Sequence, residues 1–83
     1  MHEMSLASSV LETVRAEGRK YEGAHVSKVG LCIGEWSGVD TESLRFCLEA
    51  LVMGTELEPL AIEIDFHPAS PHLDIAYLEL EDG

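Results

Sequence analysis

Residues 25–66, HVSKVGLCIGEWSGVDTESLRFCLEALVMGTELEPLAIEIDF, decide the fold. From about His25 to Gly34 the side chains alternate, with Val29, Leu31 and Ile33 on one side and Lys28, Gly30 and Cys32 on the other. That is the period of a strand whose Val29 side is covered. After the loop that follows, Asp40 is a good N-cap and Val39 before it can staple onto Leu44, so a helix starts at Thr41. Leu44, Cys47, Leu48, Leu51 and Val52 form its apolar stripe, Gly54 stops it in the left-handed cap position, and Pro59 lies in the exit loop. Leu60, Ile62, Ile64 and Phe66 then alternate with Ala61, Glu63 and Asp65, giving a second strand with one acidic face. Strand, helix and strand in this order form a crossover, which makes the two strands parallel and the connection right-handed if they share a sheet.

Upstream, Met4, Ala7, Val10, Leu11 and Val14 recur at helical spacing, and Gly18-Arg19-Lys20 reads as a fraying end, so a helix is expected from about Met4 to Lys20. Downstream, HPASPH (residues 67–72) is a turn with two prolines, and Leu73, Ile75 and Tyr77 open a third strand that returns antiparallel. Leu78 and Leu80 are one residue out of phase with Leu73 and Ile75, which calls for a bulge near Tyr77. The tail Glu81-Asp82-Gly83 is expected to fray. The order is α-β-α-β-β. The expected class is α+β, with two helices packed on one face of a three-stranded mixed β-sheet. Its other face carries Lys28, Gly30, Cys32, Glu63, Asp65 and Asp74, small or polar enough to meet water.

A chain of 83 residues has the length of one domain, residues 1–83. Lys and Arg number 5 against 16 Asp and Glu, a formal charge of −11, so phosphate backbones and anionic membranes are repelled and neither nucleic acid nor membrane is an expected partner. The first ten residues, MHEMSLASSV, lack the basic start and unbroken apolar run of a signal peptide, which places the chain in the cytoplasm. Cys32 and Cys47 then read as free thiols, and without any C-x-x-C pair they cannot build a structural zinc site, so no zinc is expected.

No nucleophile stands beside a base and no glycine-rich loop cradles phosphate, so no catalytic residues are assigned and an enzyme is not expected. The unusual feature is Met1-His2-Glu3 ahead of a helix. Initiator methionine is removed when the second side chain is small, so the imidazole of His2 should leave Met1 in place with a free α-amine. That amine and the His2 amide nitrogen close a five-membered ring on a metal, and the amide with imidazole Nδ1 closes a six-membered one. Three coplanar nitrogens suit a tetragonal Ni(II) or Cu(II) ion and leave one position for Glu3 or another carboxylate. If the first helix packs antiparallel to the first strand, both helices begin at one end of the sheet, and Met1, His2, Glu3 and Asp40 should converge there. Asp40 has two competing roles, helix cap and ligand.

Other polar residues read more plainly. His25 opens a strand, while His67 and His72 flank the proline turn as surface residues. Cys47 lies on the core face of its helix, and Cys32 sits on the opposite sheet face from the core. Trp36 is either a contact residue or a cover for the sheet edge.

Taken together, MHEMSLASSV, IGEWSGVD with the following ESLRFCLEA, and LDIAYLELE resemble the HypA/HybF family of hydrogenase nickel-insertion proteins over most of the chain. The resemblance implies a nickel metallochaperone that works with a HypB-type nickel GTPase to load Ni(II) into the large subunit of [NiFe]-hydrogenase, with a urease role in some members. It implies that Met1, His2 and Glu3 form the nickel site, with Asp40 at the position of a further ligand in some members. Family members carry a zinc domain of two C-x-x-C pairs between the last two strands, where this chain has only residues 67–72. Zinc content and docking on the hydrogenase are therefore expected to suffer, and nickel capture least. The competing classes are a metal-free protein-interaction module with the same fold and a small acidic regulatory domain.

Overall fold

The structure, a computed structural model, describes residues 2–82. Helix α1 (His2–Gly18) is followed by strand β1 (Ala24–Gly34), a short 3-10 turn at Glu35–Ser37, helix α2 (Thr41–Val52), and strands β2 (Ala61–His67) and β3 (Leu73–Asp82). The class is α+β in the order α-β-α-β-β, with a mixed three-stranded sheet.

β1 is the central strand. It pairs parallel with β2 in a register that sets Val29, Leu31 and Ile33 against Ile62, Ile64 and Phe66. It pairs antiparallel with β3, so the sheet order is β2-β1-β3. The turn after β2 therefore carries the chain across the end of β1 instead of folding β3 back beside β2. Gly34 N donates to His72 O at 2.8 Å and Trp36 N to Ser70 O at 2.8 Å, which fixes that crossing.

The core is one cluster in which Ala7, Val10, Leu11 and Val14 of α1 and Leu44, Cys47, Leu48 and Val52 of α2 are buried with Val29, Leu31 and Ile33 of β1. Each helix contributes the stripe expected from a period of 3.6 residues. Val39 and Leu51 pack against the cluster, as the staple and stripe require. Leu57, in the loop before β2, is also buried there. The periodicity did not reveal it, because a single buried loop residue has no period.

Several expectations are corrected. α1 begins at His2, not Met4, and ends at Gly18, where Lys20 N and Tyr21 N turn to Glu17 O and Gly18 O in three-residue steps. Met4 lies outside the buried stripe. β2 begins at Ala61, and Phe66 near its end is exposed. Glu81 and Asp82 are paired with His25 and Ala24 and so belong to β3.

The expected bulge falls at Ala76, since Gly30 pairs with Tyr77 but Leu31 with Ile75. Its consequence is that Tyr77 stands on the open face while Leu78 and Leu80 return to the covered one. A second irregularity at Ser27 brings Val26 onto the covered face with Val29. Gly30 therefore does not meet water. It is buried beneath the Tyr77 ring, which a Cβ at Gly30 would strike. The Tyr77 hydroxyl reaches over β1 and donates to Glu63 Oε1 on β2.

Candidate metal centre

Both helices start at the end of the sheet where β1 finishes, and the two starts meet. Asp40 N donates to Glu3 Oε2 at 3.4 Å, so the first turn of α1 is tied to the residue that opens α2. The His2 imidazole lies on the same carboxylate, with Nδ1 3.8 Å from Glu3 Oε2. Glu3 is the more enclosed of the two: its side chain is 18% exposed against 64% for His2. Met1, the remaining member of the expected chelate, lies outside the described residues.

The helical start at His2 matters chemically. The first amides of an α-helix have no carbonyl one turn back to bond, so the His2 and Glu3 N–H groups are free of intrahelical partners. A metal that displaced the His2 amide proton would break no bond of the helix. The same orphan donors put positive partial charge at this end, and the Glu3 carboxylate in the first turn offsets it.

The Asp40 side chain is engaged by its own helix. Its Oδ1 accepts from Glu42 N at 3.1 Å and Ser43 N at 3.3 Å, the second and third residues of α2. Its backbone is extended, with φ −82° and ψ 111°, as a capping residue requires. The sequence thus correctly brings Glu3 and Asp40 together. The contact runs through the Asp40 amide, while the carboxylate serves the helix. Among the described residues no group of three or more His, Cys, Asp or Glu side chains is placed to hold a metal ion.

The other candidates stand apart. His25 is half-buried, with Nε2 3.2 Å from Pro59 O, and His67 and His72 are exposed on the turn. Cys47 is buried in the core, while Cys32 is half-buried on the open face between Asp65 and Asp74 of the flanking strands. Trp36 is 68% exposed. The periodicity passed over Phe46, which is 71% exposed on α2 and lines a cavity of about 390 Å³ with Glu3, Met4 and Glu42. The signal was present, since Phe46 falls outside the stripe of Leu44, Cys47, Leu48 and Leu51 and so had to face outward.

Comparison with known proteins adds to this geometry. Residues 1–72 match a family described as hydrogenase/urease nickel incorporation, metallochaperone, hypA. A hydrogenase maturation factor HypA from Methanopyrus kandleri is 49% identical over 65 residues, covering 78% of this chain and 46% of that protein. The protein of the same name from Chlorobium limicola is 42% identical over 65 residues, covering 78% of this chain and 56% of its own length. That from Geotalea daltonii is 46% identical over 72 residues, covering 84% and 61%. The chain thus spans about half the length of the curated relatives it matches.

Proposed function

The chain belongs to the HypA family, and from that premise we propose that it is a nickel metallochaperone domain that captures Ni(II) at Met1, His2 and Glu3. It passes the ion, with a HypB-type nickel GTPase, to the large subunit of [NiFe]-hydrogenase during maturation. The observation that carries the reading is the junction at which Glu3 Oε2 faces both His2 Nδ1 and the Asp40 amide. This holds one carboxylate beside the imidazole and leaves the amide nitrogens of the first turn without helical partners.

In this reading the α-amine of Met1, the His2 amide and imidazole Nδ1 supply three nitrogens in a plane, and Glu3 closes the square. Such a donor set suits a tetragonal nitrogen-preferring ion. Asp40 holds Glu3 in place through its N–H and has its second carboxylate oxygen to offer. The turn at residues 67–72 stands where the family's zinc domain is inserted, so residues 1–83 act as a single nickel-binding domain that holds no zinc. Delivery to the hydrogenase is the step expected to be impaired.

The test is a nickel titration of chain that begins at Met1 with no tag before it. About one Ni(II) per chain is expected, weakening as pH falls because the donors must lose protons. His2→Ala, or one added residue before Met1, should abolish binding. Unchanged stoichiometry and affinity in both variants would remove the N-terminal site.

A further inference from the structure

The outward face of the helical layer beside the nickel site presents apolar side chains without a cover. Phe46 is 71% exposed and Met53, two turns along at the end of α2, is 69% exposed. Met4 of α1 shares the cavity of about 390 Å³ with Phe46. Ser8 and Ala50, one turn beyond Met4 and Phe46, are exposed and small. Exposed large apolar groups gathered on one face mark interaction surfaces more often than isolated ones do.

Carboxylates stand beside Phe46, and Arg15 of α1, at helical spacing with Met4 and Ser8, is paired with Glu56. Glu42 and Glu49 flank Phe46 on α2, and Glu3 closes the end of the cavity. The one cation adjacent in sequence, Arg45, is directed to the other side, where its Nη1 donates to Ile62 O at 2.8 Å. A second copy of this chain would bring the same carboxylates against these, in a chain of net charge −11.

We propose that the Met4–Phe46–Met53 strip is a docking surface for an amphipathic helix of a partner protein, one whose apolar face is flanked by Lys and Arg. Phe46 is the anchor and the surrounding glutamates select the charge. The helix lies next to Glu3, so docking brings the partner to the candidate nickel site, although the surface stands whether or not that site binds nickel. Helix-in-groove recognition takes its anchors from the docking helix at spacings of three, four and seven residues, and Phe46 and Met53 are the exposed apolar groups they would meet.

The probe is a fluorescein-labelled helical peptide of about 18 residues made of leucine and lysine on a 3.6-residue period, with a leucine–glutamate twin as comparison. At about 0.15 M salt the lysine peptide should bind the 83-residue chain more tightly than its twin by about tenfold or more. Phe46→Ser should weaken it by about tenfold or more with an unchanged circular dichroism spectrum. Phe66→Ser, exposed elsewhere, should change it by less than about twofold. Glu42→Lys with Glu49→Lys should weaken binding far more than the same reversals at Glu22 and Glu81, which alter net charge equally. Equal losses from both pairs, or indifference to Phe46→Ser, overturn the proposal. Self-association of the chain that Phe46→Ser abolishes would also overturn it, by making a second copy the occupant.

Discussion

Asp40→Ser separates the two roles that Asp40 can play. In the structure Oδ1 takes the amides of Glu42 and Ser43 at 3.1 and 3.3 Å, and the Asp40 carbonyl accepts from Leu44 N at 2.9 Å to begin the helix. Serine caps about as well as aspartate and keeps the backbone N–H that holds Glu3. The loss of anionic charge at a helix start then costs only about 0.3–1 kcal/mol. Alanine removes the cap outright, at about 1 kcal/mol, which lowers the melting temperature of a domain this size by roughly 4–8 °C. Thermal unfolding followed by circular dichroism should therefore rank Asp40→Ala below Asp40→Ser, with the native chain highest. Because the carboxylate serves the cap, Asp40→Ser should lose less than about tenfold in nickel affinity, the equivalent of about 1.4 kcal/mol. A far larger loss in the nickel titration, with Asp40→Ser melting no lower than that small charge cost allows, would refute this division of labour and make the Asp40 carboxylate a direct ligand.

The pKa of the Tyr77 phenol is pushed up to about 12, first by its hydrogen bond to Glu63 and then by desolvation and the nearby carboxylates. The neutral phenol is thus favoured in the folded chain, and its contribution is complete below the ordinary value of 10 and lost as pH rises toward 12. Tyr77→Phe should flatten the alkaline fall of stability between those limits in urea titrations at stepped pH, and an unchanged alkaline limb would contradict a stabilising role for the Tyr77–Glu63 hydrogen bond. Gly34→Ala should cost about 1–3 kcal/mol, because the added Cβ meets the Ser70 carbonyl and the backbone of the turn must move. Denaturant unfolding measures it, and a neutral effect would show that the turn yields freely. Elemental analysis of the purified chain should find less than stoichiometric zinc, and about one tightly held zinc per chain would show that Cys32, Cys47 and the histidines had been misread.

Much of the architecture was legible because burial repeats. The stripes Ala7–Val10–Leu11–Val14 and Leu44–Cys47–Leu48, and the alternation from Val29 to Ile33, each report a side chain facing one core. The slip between Ile75 and Leu78 was legible for the same reason, as a break in that repetition. Its effect on Tyr77 was not, because phase alone does not say which residue is the extra one. Only the pairing of Gly30 with Tyr77 assigns it to Ala76. At the candidate site, the N-cap at Asp40 and the meeting of the two helix starts followed from local chemistry and topology. The helix start at His2 did not, since the first residues of a helix have no preceding turn to reveal a period.

The loop from Gly34 to Asp40 joins the two regions that matter most to the proposed function. At one end Gly34 N and Trp36 N hold the carbonyls of His72 and Ser70, and Glu35 Oε1 accepts from Ala69 N at 3.1 Å. At the other, Asp40 N holds Glu3. Between them the Ser37 hydroxyl donates to Gly34 O at 2.7 Å and accepts from Val39 N at 3.3 Å, which stiffens the loop from within. The turn between β2 and β3 and the carboxylate beside His2 are therefore fastened to one short segment. The five residues between β2 and β3 close the sheet directly, with Ile33 paired to Leu73. The position of Glu3 is thus tied to the loop and to both helix starts, which makes this junction the part of the molecule on which the proposed nickel capture rests.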